Sequence, residues 1–185
     1  LVGLQQIHIN SQGQVLITEG NGVALTFRPV DASSYTSPPA DFSTLTKNLD
    51  NSFTRRLKDG TLYHFDAEGL LTDMQDRNAN TTQYIYDSGK RLTRIIDPVG
   101  KAFSFEYFAN YLTSITDPDN RVTRFKHDSA GNLIHIIEPS NDQRTFEYQS
   151  FTHLMTAQID QRNNRTEYRY DFAGRIREAL LPDAS

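Results

Sequence analysis

The sequence contains no cysteine, and this absence excludes several classes of site. Without thiols there can be no disulfide framework, no thiolate nucleophile and no cysteine-based zinc site. An oxidising compartment stays open, because proteins without cysteine are tolerated in every compartment. No apolar run approaches the roughly 20 residues that a transmembrane helix needs. We therefore expect no membrane span.

Neither sign of charge dominates. The 185 residues include 19 Lys and Arg against 23 Asp and Glu, a formal net charge of −4. This mild acidity gives no electrostatic reason to expect a nucleic acid or an anionic membrane as partner. Hydrophobic residues at 37% are few for a tight globule, but aromatics at 11% are too many for a disordered chain. The chain begins at Leu1 without a basic-then-apolar leader, and we expect it to be a piece of a longer protein.

Motifs of catalysis are missing as well. There is no G-x-S-x-G, Walker or G-x-G-x-x-G segment, and the five histidines form no H-x-x-x-H pair. The acidic segment 117–120 lacks the glycine and distal glutamate of an EF-hand, and Asp73 and Asp76 share one strand end instead of facing across a cleft. Arg55-Arg56 is an isolated basic pair that we expect to be solvated. We predict no catalytic, cofactor-binding or metal-binding residues, no cofactor, and a protein that is not an enzyme.

What the sequence contains instead is a repeat that begins near residue 57. An aromatic residue, in most units followed by an acid, returns every 20 to 22 residues, at Phe65-Asp66, Tyr86-Asp87, Tyr107-Phe108, His127-Asp128, Tyr148-Gln149 and Tyr170-Asp171. Five or six residues later stands an aliphatic residue: Leu71, Leu92, Leu112, Leu133, Leu154 or Ile176. Each unit but the last then ends on an acid that lies ten residues before the next aromatic: Asp76, Asp97, Asp117, Glu138 or Asp160. Because this spacing of ten residues stays constant from each unit to the next over six units, the sequence is that of a repeat protein.

The residues before each aromatic predict a β-strand with one buried face. Rings alternate with polar residues, as Phe125 and His127 do with Arg124 and Lys126. We expect the rings to pack together on one face, with Phe125 buried and Lys126 solvated. A sugar-binding platform of exposed rings is the alternative. Six equivalent positions favour packing, since a binding site would need only two or three.

Two turn signatures separate the strands. Asp-x-x-Gly occurs at 66–69, 128–131 and 171–174, and acid-Pro-x-Gly/Asn occurs at 97–100, 117–120 and 138–141. In the first signature, Asp accepts a hydrogen bond from the N–H two residues on and Gly supplies a positive φ. In the second, Pro presets φ and the final Gly or Asn takes the left-handed conformation. Apolar residues at the third and fourth positions after the aliphatic one, as in Leu92, Ile95 and Ile96, predict a bulge or strong twist near the third position.

The upstream residues follow the same rules without the period. Strand-like runs at 4–9, 14–19 and 23–28 are separated by turn residues. Residues 29–41, rich in Pro, Ser and Thr, predict an exposed loop inserted within the sheet. We therefore expect residues 1–52 to form an upstream β-hairpin segment and residues 53–185 to form an array of about six units.

Residues 86–100, which read Tyr-Asp-Ser-Gly-Lys-Arg-Leu-Thr-Arg-Ile-Ile-Asp-Pro-Val-Gly, closely resemble the repeat of Rhs/YD-repeat proteins. Residues 59–66 resemble the segment that often precedes the first such repeat. The resemblance covers about residues 53–185 well and 1–30 loosely. The family includes bacterial polymorphic toxins, shell-forming subunits of insecticidal toxin complexes, and animal teneurins. The Tyr-Asp pair is degraded in three units, and neither the family's shell-closing segment nor a toxin domain is recognisable.

The repeat and the resemblance together predict an all-β strip of consecutive antiparallel hairpins. Twisted open sheets of more than ~10 strands rarely stay flat, so we expect the strip to curl into an arc or spiral. The resemblance implies a non-catalytic segment of a secreted or cell-surface shell that encloses a toxin. Its partners would be the rest of the parent chain and an enclosed C-terminal effector domain. The alternative is an extracellular adhesion module that binds a glycan or a partner protein.

Overall fold

The computed structural model describes residues 4–182, and every regular element in this range is a β-strand. The strands are β1 (Gln6–Ile9), β2 (Val15–Thr18), β3 (Ala24–Pro29), β4 (Ser34–Thr36), β5 (Thr44–Lys47), β6 (Phe53–Arg56), β7 (Leu62–Phe65), β8 (Leu71–Gln75), β9 (Thr81–Tyr86), β10 (Leu92–Ile96), β11 (Ala102–Phe108), β12 (Tyr111–Thr116), β13 (Val122–His127), β14 (Leu133–Ile137), β15 (Gln143–Tyr148), β16 (Met155–Ile159), β17 (Arg165–Tyr170) and β18 (Ile176–Leu180). The predicted all-β fold is confirmed, and β7–β18 are the strand pairs expected from six units. The outermost residues of the two predicted segments, 1–3 and 183–185, lie outside the described residues. Between residues 4 and 182 there is no helix that could cross a membrane.

The chain divides into two compact units, with the boundary between Ala102 and Phe103. The first unit holds β1–β10 and the second holds β11–β18, apart from Ala102 at the start of β11. Within each unit, every strand pairs antiparallel with the next one in sequence. The hairpin is therefore the building element of both units.

In the first unit the ring face, by which we mean the strand face that carries the repeat aromatics, is turned inward. Cross-strand register places Phe53 opposite Phe65 and Val15 opposite Phe27, so these side chains share one face of their strands. The buried cluster on this face comprises Ile7, Val15, Ile17, Phe27, Leu45, Phe53, Phe65 and Leu71. Its members come from β1–β3 and from β5–β8. The N-terminal hairpins therefore cover the ring face of the later ones, which is the curling expected for a long twisted strip.

Gly69 marks the point where the fold closes on itself. The N–H of Ile7 donates to the Gly69 carbonyl at 2.9 Å, and Gln6 forms an isolated antiparallel bridge with Leu70. A Cβ atom on Gly69 would lie 2.2 Å from the Ile7 carbonyl oxygen, and its φ is +84°. Only glycine satisfies both the close approach and the left-handed conformation.

The second unit has a more open ring face. Among the described residues of this unit, Phe105 is the buried hydrophobic residue of the ring face, and the buried Ala157 lies on the opposite face. Phe125 lies on the predicted face, opposite Ile136, but it is half-buried, because among the described residues of this unit no second layer of strands covers it. Lys126 is exposed as predicted.

A short strand, β4, lies within the predicted loop 29–41. The Asp31 carboxylate accepts hydrogen bonds from the backbone N–H groups of Ser33 and Ser34, both at 2.8 Å, and also from both hydroxyls. These bonds order a tight turn before β4, which then pairs with β3 and β5. Local side-chain hydrogen bonds of this kind were not anticipated from the composition of the segment.

Candidate functional site: the repeated turn, bulge and tyrosine

One turn geometry closes most hairpins of both units. In the turn that starts at Asp87, the N–H of Lys90 donates to the Asp87 carbonyl at 2.9 Å, and the N–H of Asp87 donates to the Arg91 carbonyl at 3.0 Å. The turns that start at Asp66 and Asp97 have the same two bonds. The two predicted turn signatures therefore form one structure, a tight turn followed by a residue of positive φ.

The fourth residue of each turn carries the positive φ. Gly100, Asn120 and Asn141 take this position in the proline-containing turns, with φ of +85°, +62° and +70°, as predicted. In the turn at Asp87 the glycine stands one place earlier, and Lys90 adopts a φ of +61° instead. The position in the turn thus determines the conformation, whichever residue occupies it.

The acids of the repeat hold their own turns together. The Asp128 carboxylate accepts from the backbone N–H groups of Ala130 and Asn132, and Asn132 Nδ2 donates to its second oxygen at 2.8 Å. The side-chain hydrogen bond from Asn132 lowers the pKa of Asp128, followed in effect by the backbone bond from the same residue. Asp117 is engaged in the same way, by the N–H groups of Asp119 and Arg121 and by Arg121 Nε. These carboxylates bind their own backbone.

A bulge opens the second strand of every repeat, two positions earlier than predicted. In each unit the strand partners skip the residue directly after the one that pairs with the repeat aromatic: Thr72, Thr93, Thr113, Ile134, Thr156 or Arg177. The prediction of a bulge near the third position was wrong in its location. The extra residue lies where the strand leaves the turn, and it shifts all later residues by one place.

The bulge explains the irregular apolar spacing. Leu92 pairs with Tyr86, and after the skipped Thr93 the pairing resumes so that Ile95 faces Tyr84. Two residues three apart in sequence therefore share the ring face, although strict alternation would separate them.

Threonine at the bulge satisfies the interrupted ladder. The hydroxyls of Thr72, Thr93 and Thr113 each donate at 3.1 Å to a carbonyl of the partner strand. Threonine is therefore suited to this position for two reasons: its side chain is β-branched, and its hydroxyl is a hydrogen-bond donor.

The repeat tyrosine links each hairpin to the preceding one. The hydroxyls of Tyr86, Tyr148 and Tyr170 donate to the carbonyls of Leu71, Leu133 and Met155 at 3.0, 2.9 and 2.7 Å. In each case the acceptor lies fifteen residues earlier. The acceptor is the first residue of the preceding unit's second strand. Burial raises the pKa of Tyr86 to about 12, and burial likewise raises the pKa of Tyr148, so these hydroxyls stay protonated donors.

Some units depart from this pattern. Phe65 has no hydroxyl and is 1% exposed within the core. His127 packs its ring on Tyr111, with centroids 4.9 Å apart. Met155, instead of the predicted Leu154, pairs with Tyr148, because the turn after Tyr148 is one residue longer and closes from Gln149 to Leu154.

The opposite face carries polar pairs across strands. Arg165 donates two hydrogen bonds to Glu147, at 2.7 and 2.8 Å, and one to Glu167 at 2.9 Å. Ala157 is the strand partner of both glutamates and has no exposed surface. A small residue between two acids lets the guanidinium on β17 reach across β16 to the acid on β15.

Arg55 is buried, so the expectation that the Arg55-Arg56 pair is solvated was wrong for this residue. It is 2% exposed, and Nη2 donates to Asp41 at 2.8 Å. It also donates to Ser43, Gln5 and Glu19 at 3.0, 3.1 and 3.2 Å. Its guanidinium lies 5.8 Å from the centroid of the Phe27 ring. The strand alternation of β6 turns Arg55 inward and leaves Arg56 exposed.

The histidines take part in separate local contacts. His64 bonds to Asp73 across β7 and β8, His135 to Thr145, and His153 to Asn132. Within residues 4–182, three or more potential metal-ligating side chains do not come together anywhere. The features that recur across the described residues are therefore the turn, the bulge and the tyrosine hydrogen bond, and in each of them a backbone carbonyl accepts a hydrogen bond.

The sequence model of a family described as the teneurin YD-shell matches residues 59–185, which is more than half of the chain. A search of curated proteins finds no match.

Solved structures share the fold. The Tc holotoxin pore of Photorhabdus luminescens, with a TccC3 variant, matches with a TM-score of 0.56 at 13% identity, over 90% of this chain and 11% of that one. A crystal structure of TcdB2-TccC3 matches with a TM-score of 0.55 at 14% identity, over 96% of this chain and 12% of that one. A crystal structure of TcdB2-TccC3-Cdc42 matches with a TM-score of 0.54 at 14% identity, over 91% of this chain and 11% of that one. The chain thus spans about a tenth of these toxin chains. By the family match and the repeat geometry, it belongs to the teneurin YD-shell family.

Proposed function

We propose that the chain is a wall segment of a hollow shell built by a larger YD-repeat protein, with a structural and not a catalytic role. The observation that carries this proposal is the closure of the first unit at Gly69. There the ring face of a hairpin strip turns inward and is covered by the chain's own earlier hairpins. A strip with one apolar and one polar face has the asymmetry that a curved wall requires.

The shell would enclose a C-terminal effector domain of the parent protein, which would be secreted or displayed on the cell surface. Two findings support this proposal: the family match and the similarity to toxin chains roughly eight times as long as this segment. The partners of the segment would then be the remaining repeats of the parent chain and the enclosed domain.

Limited proteolysis of the full parent protein tests encapsulation. We expect the sequence downstream of the shell to resist protease in the intact protein and to be cut once Phe65→Ala opens the first unit. Lys126→Ala, an exposed change, is the matched control and should leave the downstream sequence protected. Equal cleavage of the downstream domain in the intact protein and in isolation would contradict encapsulation.

A second candidate function, adhesion to a glycan or a partner protein, is favoured by one observation. Three phenylalanine rings lie exposed at hairpin ends of the second unit: Phe108 is 78% exposed, and Phe151 and Phe172 are fully exposed. Exposed rings at the ends of neighbouring hairpins suit contact with a partner surface.

Binding of the labelled chain to an array of glycans tests this candidate. Replacing Phe151 and Phe172 by Ala should abolish any signal, whereas Leu49→Ala, at an equally exposed turn of the first unit, should not. An unchanged signal in the double variant would assign binding to another surface and would end this candidate.

A further inference from the structure

A pocket of about 410 Å³ opens on the ring face of the first unit. It lies where β1 and the turn after β2 approach β7, β8 and β9. Its lining includes Gln5, Glu19, Tyr63, Leu71, Met74 and Tyr84. This volume lies within the range of sites that hold small ligands or single side chains.

The walls of the pocket are mainly apolar and aromatic. Leu71 is 2% exposed, and Tyr63 and Tyr84 are half-buried. Burial raises the pKa of both tyrosines, so their rings carry neutral hydroxyls. Neither hydroxyl makes a hydrogen bond to any described residue, and both are therefore free to meet a ligand.

The pocket has excess negative charge at one wall. Arg55 is shared by two carboxylates, Asp41 at 2.8 Å and Glu19 at 3.2 Å, so one cation faces two anions. Asp41 is the closer partner and its side chain is 12% exposed, whereas the Glu19 side chain is 31% exposed and lines the pocket. The second carboxylate oxygen of Glu19 has no partner among the described residues. The uncompensated charge therefore lies at the pocket wall.

We propose that this pocket binds the side chain of a lysine or arginine from a polypeptide enclosed by the shell. The aliphatic stem would lie along Leu71 and Met74, and the cationic head would meet Glu19 and the tyrosine rings. The assignment of an enclosed partner rests on the proposed function, in which this chain is a wall segment around a domain of the parent protein. An anionic ligand would find no cationic partner among the lining residues, and a purely apolar ligand would leave the Glu19 carboxylate desolvated.

Titration of the whole chain with two short peptides tests the proposal. The probes are acetyl-Gly-Arg-Gly-amide and the same peptide with citrulline, which keeps the shape of arginine but has no charge. We expect saturable binding of the arginine peptide, with the citrulline peptide about tenfold weaker, an affinity ratio that corresponds to roughly 1.4 kcal/mol. Equal affinities, or no saturable binding of the arginine peptide at millimolar concentrations, would overturn the proposal.

A pair of variants locates the binding. Glu19→Gln keeps an acceptor oxygen for Arg55 and removes the charge, so we expect about a tenfold loss of affinity for the arginine peptide. Glu68→Gln is the matched control, because Glu68 is exposed, pairs with Lys90 at 3.2 Å and lies outside the pocket. The affinity of this variant for the arginine peptide should change less than about twofold. Equal losses in the two variants would overturn the assignment to this pocket.

Two features keep the result decisive. If Glu19→Gln does not fold, the comparison of arginine with citrulline on the unaltered chain still supports or overturns the proposal. The titration uses this chain alone, whereas encapsulation is measured by protease protection of the parent. If the arginine peptide does not bind, the proposal of encapsulation is unaffected. If the downstream domain is not protected from protease, the measured peptide affinity remains but the ligand is not an enclosed domain.

Discussion

The two units follow the same repeat rules, but they differ in what covers their ring face. Among the described residues of the first unit nine hydrophobic residues are buried: Ile7, Val15, Ile17, Phe27, Leu45, Phe53, Phe65, Leu71 and Leu92. In the described part of the second unit there are two, Phe105 on the ring face and Ala157 on the opposite face, between Glu147 and Glu167. The turns, bulges and tyrosine hydrogen bonds are common to both. The repeat therefore makes a sheet, whereas a core forms only where another layer of hairpins closes over that sheet.

This difference predicts different energetics. The first unit should unfold cooperatively, because its core joins strands that are distant in sequence. The second unit should behave as a one-dimensional array, in which each hairpin is stabilised mainly by its neighbours.

The largest expected effect is the loss of a ring from the closed core. Phe65→Ala should lower the free energy of unfolding by ~3–5 kcal/mol, because Phe65 is 1% exposed. Phe125→Ala should lower it by only about 1–2 kcal/mol, since that ring is half-buried. Denaturant unfolding of each variant measures the two values. Similar losses in both would refute the contrast between the units.

A glycine pair sharpens the comparison. Gly69→Ala forces a Cβ against the Ile7 carbonyl and adds the cost of a positive φ, whereas Gly100→Ala meets nothing within 4 Å at the same φ. We expect a loss of at least about 2 kcal/mol for Gly69→Ala and about 1 kcal/mol for Gly100→Ala. Thermal unfolding measures both. If Gly100→Ala were as costly as Gly69→Ala, closure at Gly69 would not contribute to stability.

Acid should destabilise the first unit through its buried ion cluster. Partial burial raises the pKa of Asp41, but hydrogen bonds from Ser43 and the charge of Arg55 outweigh this and hold the pKa below its usual value. A carboxyl with a depressed folded pKa contributes stability above its unfolded pKa of about 3.9, and this stability is lost as the pH falls through the folded value.

Unfolding measured from pH 6 downward should therefore show a decline that begins near pH 4 and is shallower in Asp41→Asn. Lys126→Ala serves as the control and should keep the full decline. A decline of equal steepness in Asp41→Asn would assign acid sensitivity to the turn carboxylates alone.

The smallest expected effect concerns the tyrosine hydroxyls. Tyr86→Phe in the first unit and Tyr148→Phe in the second each remove one hydrogen bond to a carbonyl, at a cost of about 1 kcal/mol. Unlike the core variants, these two should cost similar amounts, because both units share this contact. Tyr111→Phe is a suitable control, since its hydroxyl is not part of the tyrosine pattern. A loss confined to one unit would mean that the hydroxyl is not a general link.

Local features could be predicted from the sequence, because their causes lie within one repeat. The strand period, the turns at Asp66 and Asp97 and the positive φ at Gly100 and Asn120 all follow from residue types at fixed spacing. The presence of a bulge also followed from the apolar pattern. Its location did not, because Ile95 shares a face with Leu92 for a bulge at any position between them.

Contacts between distant segments could not be predicted. Arg55 appeared solvated because its partners Gln5, Glu19 and Asp41 lie 50, 36 and 14 residues away. The acceptor of each repeat tyrosine is a backbone carbonyl, which no residue type identifies. The half-burial of Phe125 depends on whether another layer covers its strand, and the repeat pattern is the same in both cases.

Native-state hydrogen exchange on the whole chain, compared with Phe125→Ala, tests the contrast between the units most directly. We expect the amides of β5–β8 to exchange together at high opening free energy, and those of β13–β16 to exchange earlier and repeat by repeat. In Phe125→Ala, protection should fall first around residues 105 and 146, while the strands near residues 15 and 65 stay protected. An even rise in exchange along the whole chain would show a single cooperative globule and contradict this account.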